Sequence, residues 1–301
     1  MDYKCINVSK SYHKFAQKED IKALENINLT LSSGEIVGII GLSGSGKTTL
    51  IDVLSGNLEA TVGELNYSPE SVVRVHKTSS VRLNKNLSVY DNMVAFGKKE
   101  HMSELDVENR MVQLRDIFSL SKFINTKVSE LADEIKVKCE MAISLLTSPR
   151  IVFFDDSLSG INHSGKNEIL KCLKRLNKEE RTIVVLVSSS LKDIDKIINR
   201  LVVVDRGNII YDGAYNDFKE IYCKDKIFEV FLNKNVSIEQ VEGINVLEKG
   251  EYYYKLSFAN KNGMLSKVIN LFDVDNIVDL TIGNIDLNDI VEKIRKGELN
   301  D

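Results

Sequence analysis

The chain has 301 residues, 43% of them hydrophobic, and a formal charge of −4 from 40 basic and 44 acidic side chains. That length suits about two domains of roughly 100 to 200 residues each, and the acidic balance argues against a nucleic-acid partner or a polybasic membrane-binding surface. Cys5, Cys139, Cys172 and Cys223 are too scattered for a disulfide framework or a zinc knuckle, and the N-terminal MDYKCINVSK has no apolar stretch that could serve as a signal peptide. A reducing compartment is expected. Apolar runs such as Ile36 to Leu42 fall short of the roughly 18 residues a bilayer span needs, so any membrane role requires a partner.

In chain order, the runs EIVGII (35–40), RIVFFD (150–155), TIVVLV (182–187) and RLVVVD (200–205) are apolar on both faces and predict a buried, largely parallel sheet covered by helices. Between about residues 85 and 146 the period becomes helical, with Val107, Met111, Leu114 and Phe118 on one stripe, which predicts a separable helical subdomain. Beyond Gly213, residues 217–233 read as helix. EYYYKLSF (251–258), a helix over 262–272, DNIVDLTIG (275–283) and a helix over 287–296 then suggest a small α+β module. The domains are therefore expected at 1–228 and 236–301.

EIVGII runs directly into Gly41, Leu42, Ser43, Gly44, Ser45, Gly46, Lys47, Thr48 and Thr49, matching G-x-x-x-x-G-K-[ST] between a strand and a helix. Glycines let the backbone N–H groups turn inward around phosphates, and the helix start adds its positive dipole end. Lys47 is expected on the β and γ phosphates and the Thr48 hydroxyl on Mg²⁺, which implies binding of a nucleoside triphosphate. A second strand, ending at Asp155, should deliver the metal-side carboxylate. Asp156, one step further, is placed to orient or deprotonate an attacking water.

The order and spacing of these motifs over residues 3–225 resemble the nucleotide-binding domain of ABC transporters. The resemblance implies an α/β P-loop fold with a helical subdomain, ATP and Mg²⁺ as ligands, separate transmembrane permease subunits, and a second nucleotide-binding domain in a hetero- or homodimer. The chain would then lie on the cytoplasmic face of the membrane. It also implies that Tyr12 stacks on adenine, that Ser79 takes the place of a metal-sensing glutamine, and that Ser189 takes the place of a γ-phosphate-sensing histidine.

Several positions depart from the family pattern. LSGGQ is replaced by Leu131, Ala132, Asp133, Glu134 and Ile135, although Lys138 keeps a basic residue downstream; the catalytic glutamate is Asp156; and an interface aspartate is Asn162. Acids beside phosphate and a shortened carboxylate imply slow hydrolysis. The C-terminal module resembles the accessory domain of ABC-2 type exporters, which move peptides, antibiotics or envelope components. An ATP-gated regulatory or scaffold protein on the same fold is the alternative.

Overall fold

The computed structural model describes residues 2–13, 20–68, 71–76, 83–156, 158 and 160–296. In chain order it contains β1 (Asp2–Tyr12), β2 (Ile21–Ser32), β3 (Ile36–Ile40), α1 (Lys47–Leu54), β4 (Val62–Leu65), β5 (Val72–His76), α2 (Val89–Lys99), α3 (Glu104–Ile117) and α4 (Asp133–Ser144). These are followed by β6 (Ile151–Asp155), α5 (His163–Glu180), β7 (Ile183–Ser188), β8 (Arg200–Asp205), β9 (Asn208–Ala214) and α6 (Tyr215–Tyr222). The chain closes with β10 (Asp225–Leu232), β11 (Ile244–Lys249), β12 (Tyr253–Ala259), α7 (Met264–Ile269), β13 (Ile277–Asn284) and α8 (Leu287–Lys296).

Two compact units divide between Asp212 and Gly213. In the first, a six-stranded sheet has the order β5-β6-β7-β3-β8-β9, and its pairs from β5 through β8 are parallel. All residues of β3, β6 and β7 are buried, because helices and a second layer cover both sheet faces. That second layer is a three-stranded antiparallel sheet, β2-β1-β4. Val8, Leu24 and Leu29 from it share one core with Leu50 and Ile51 of α1 and with Ile39, Phe153 and Val185 of the large sheet.

The helical stretch emerges as α2, α3 and α4, and the predicted stripe of Val107, Met111, Leu114 and Phe118 is buried. Ser88 and Ser103 start α2 and α3 by accepting the N–H of Asp91 (3.0 Å) and Asp106 (3.1 Å), the local bonds that fix a helix start.

The second unit holds an antiparallel sheet of order β11-β12-β10-β13. Here the helix expected over 217–233 is corrected: it ends at Tyr222, and 225–232 is a strand. Ile227, Phe228, Val230 and Leu232 are buried and β10 is paired on both sides, so β-branched and aromatic residues follow the sheet rather than the preceding helical pattern. The unit boundary at 212/213 also precedes the 228 edge read from the sequence, because β10 is an inner strand of the C-terminal sheet.

Phe153 is fully buried between the sheet layers. Phe153→Ala should lower unfolding stability by about 3–5 kcal/mol, read as a fall in urea midpoint at unchanged slope.

Candidate functional site

Because β6, β7 and β3 are adjacent and parallel, their carboxyl ends open on one edge of the sheet. This brings together Gly41 after β3, Asp155 and Asp156 at the end of β6, and Ser189 after β7. The loop from Gly41 to Gly46 turns back on itself, with the Ser45 N–H donating to the Leu42 carbonyl (3.1 Å) and the Gly207 N–H donating to the Ser45 carbonyl (2.8 Å). Gly46 caps α1 at φ 105°, and a Cβ there would sit 2.7 Å from the Ala23 carbonyl oxygen, so both conformation and space demand glycine.

Lys47 Nζ donates to the carbonyls of Gly41 (2.6 Å) and Leu42 (2.9 Å), folding its ammonium over the loop. Burial pushes this ammonium below the ordinary lysine range, opposed by the charges of Asp155 and Asp156. Ser43, Gly44 and Thr48 are exposed, Thr49 is half-buried, and Ser45 is buried. The loop thus presents backbone N–H groups, a cation and a free-facing threonine at one helix start, a donor set that fits a phosphate chain with Mg²⁺.

Asp155 is 6% exposed at the end of β6. Its Oδ2 is bound by Arg74 Nη2, and Nη1 of the same guanidinium binds Asp52 Oδ1 on α1. Neither Arg74 nor Asp52 stood out in the sequence, where no motif links positions 22 and 81 residues apart. Asp156 takes a left-handed backbone (φ 49°), which aspartate tolerates, and its N–H donates to the Val187 carbonyl (3.0 Å). Beside it is a slot of about 10 Å³ lined by Phe154, Asp156, Leu186, Ser188 and Asp193, room for about one water. Ser189 is exposed, one residue past β7.

Tyr12 ends β1 and is 41% exposed, with Lys10 Nζ 5.6 Å from the ring centroid. Its partner in the ladder is Ile21, two residues from Ala23, whose carbonyl abuts Gly46. Ser79 lies outside the described residues.

The divergent segments have local partners. Ala132 is the N-cap of α4 without a side-chain bond, and Asp133 is an exposed first-turn residue paired with Lys136 (3.0 Å), so Asp133 does not cap. The Glu134 carboxylate lies against the first turn of α5: a Cβ on Gly165 would sit 2.8 Å from its Oε2. An acid there meets the positive end of a helix dipole. Asn162 caps the same helix by accepting the Gly165 N–H at 2.9 Å.

The family model described as "ABC transporter" matches residues 24–159. A methionine import ATP-binding protein of Lactobacillus acidophilus is 26% identical, covering 91% of this chain and 84% of the relative. An ABC transporter ATP-binding protein, NatA, of Bacillus subtilis is 24% identical over 73% of the chain and 93% of the relative. A daunorubicin resistance ATP-binding protein of Streptomyces coeruleorubidus is 28% identical over 69% and 68%. Residues 24–159 thus match the ABC transporter family model, and most of the chain is similar to ATP-binding proteins of ABC transporters. Among solved structures, cbiO1 of Clostridium perfringens superimposes with a TM-score of 0.66 at 19% identity, covering 72% of this chain and 90% of that one. The cassette MJ1267 in its ADP conformation does so at 0.63 and 23%, over 73% and 94%. The ABC cassette fold of the first unit therefore stands on both sequence and architecture.

Asn162→Ala removes the α5 cap and should cost about 1 kcal/mol of stability. Asn162→Asp, which keeps an acceptor for the Gly165 N–H, should leave the thermal midpoint within a degree or so. Differential scanning calorimetry of the two variants checks both.

Proposed function

We propose that this ABC-type subunit binds Mg·ATP at the Gly41–Thr49 loop and drives a separate membrane-embedded permease, hydrolysing ATP slowly. The observation that carries the reading is the glycine loop with Lys47 at the carboxyl end of a fully buried parallel strand, beside the carboxylate of Asp155.

In this reading the N–H groups of Ser43, Gly44, Gly46, Thr48 and Thr49 hold the phosphates, Lys47 leaves the Gly41 and Leu42 carbonyls to reach them, and Tyr12 stacks on the base. Thr48, Asp155 and Ser79 would hold Mg²⁺, which when bound neutralises charge on the phosphate oxygens. Asp156 positions the attacking water and Ser189 donates towards the γ phosphate. A carboxylate one methylene short of glutamate places that water imperfectly, and about 1 Å of error can cost on the order of 10²-fold.

Among the described residues no helix is long and apolar enough to cross a membrane. In this reading the permease is a separate chain, and this subunit sits on its cytoplasmic side. A second cassette completes the pair, and a partner with an intact signature segment would supply the serine and glycines that Asp133 and Glu134 replace. The sequence resemblance of the C-terminal unit and the relative named for daunorubicin resistance support an exporter, while the relative named for methionine import, matched over more of the chain, supports an importer.

Isothermal titration of the purified chain with Mg·ATP should give one saturable site, and Lys47→Ala should weaken it at least tenfold, about 1.4 kcal/mol. Affinity purification from detergent-solubilised membranes should recover a polytopic membrane protein. No ATP binding at millimolar concentration would defeat the site, and recovery without any membrane protein would defeat the transport reading in favour of a scaffold.

A further inference from the structure

The guanidinium of Arg74 joins three elements. It projects from β5, binds Asp155 Oδ2 on β6 with one terminal nitrogen and binds Asp52 Oδ1 on α1 with the other. Strand pairing sets this up: Arg74 is in register with Phe153, so Asp155 lies two residues further along the neighbouring strand, within reach of a long side chain. The cluster is partly to deeply buried, with side-chain exposures of 14% for Arg74, 28% for Asp52 and 8% for Asp155. Such a cluster resists rearrangement, because a charge stripped of its partner in low dielectric is costly to leave uncompensated.

Asp155 is also the carboxylate that the proposed reading gives to the metal. A guanidinium and a divalent cation on one carboxylate are like charges a few ångströms apart, and weak screening in a buried site makes their repulsion strong. Both can be accommodated only if Arg74 shifts towards Asp52, the second acid it already holds. We propose that Arg74 is a resident cation that keeps Asp155 neutralised and oriented when no metal is bound, and that Asp52 receives the guanidinium when a divalent ion arrives. Arg74 is then a positioning residue that lowers the divalent-ion affinity of the site and makes its metal-free form stable, while Asp52 counteracts it. The inference rests on the assignment of Asp155 to the metal.

Removal of the guanidinium and removal of Asp52 should have opposite effects on the metal, which loss of an ordinary structural ion pair would not give. The probe is Mn²⁺, titrated into the full-length chain with ATP and followed by electron paramagnetic resonance, alongside thermal denaturation in EDTA and in Mn²⁺ without nucleotide. Arg74→Gln should tighten Mn²⁺ at least tenfold. It should also lower the melting temperature in EDTA and recover it when Mn²⁺ is added, because the ion replaces the lost cation between two acids. Asp52→Asn leaves Arg74 only Asp155, and should weaken Mn²⁺ at least threefold with no recovery of melting temperature by Mn²⁺. Wild-type melting should be nearly indifferent to Mn²⁺ alone. Equal loss of stability in both variants with unchanged Mn²⁺ affinity would overturn the proposal while leaving ATP binding intact. A wild-type chain that binds neither ATP nor Mn²⁺ would instead remove the reading of the site itself. If Arg74→Gln does not fold, Asp52→Asn alone decides, and an unchanged or tightened Mn²⁺ affinity there overturns the proposal.

Discussion

The central constraint on the first unit is that β3, β6 and β7 are buried along their whole length. Strands with no solvent face cannot carry polar side chains along their length without a desolvation cost, so polar chemistry is forced to their carboxyl ends. There the chain places a glycine loop, a lysine and two consecutive aspartates. The same burial explains why the loop can close so tightly: α1 is pinned to the core through Leu50, Ile51, Val53 and Leu54, so Gly46 must cap it in a conformation that only glycine adopts cheaply.

Positions that look degraded against the family pattern are locally satisfied in this fold. Glu134 faces the start of α5, Asp133 pairs along its own helix, and Asn162 caps the helix after β6. These contacts give the substituted residues a stabilising role within one chain. One of the two acids, Glu134, is turned to a helix N-terminus, where negative charge is favoured. Arg74 places a positive charge between Asp52 and Asp155, both of which it binds.

Much of this was legible in the sequence, for physical reasons that differ by element. Apolar runs such as IVFFD and IVVLV announce buried strands because nothing else buries both faces of so short a segment, and the loop is legible because its chemistry fixes residue types at fixed spacing. The stripe from Val107 to Phe118 is legible because one helix face must meet the core. β10 misled because NDFKEIY starts a helix and IFEVFL shows no clean alternation, so its strand state is decided by β12 and β13, which follow later in the chain. β11 (INVLEK) was missed, being an edge strand with five of its six residues exposed. Arg74 and Asp52 were invisible for a related reason: their partnership depends on strand register and helix docking, not on local pattern.

In the Mg·ATP site proposed for the Gly41–Thr49 loop, the short carboxylate at Asp156 is expected to limit the chemistry. The most direct test is steady-state phosphate release from saturating Mg·ATP by the wild-type chain and Asp156→Glu. Wild-type turnover should lie well below the roughly 1–10³ s⁻¹ of typical enzymes and rise about tenfold or more with the added methylene. A wild-type rate within that typical range, lowered by Asp156→Glu, would contradict that role for Asp156.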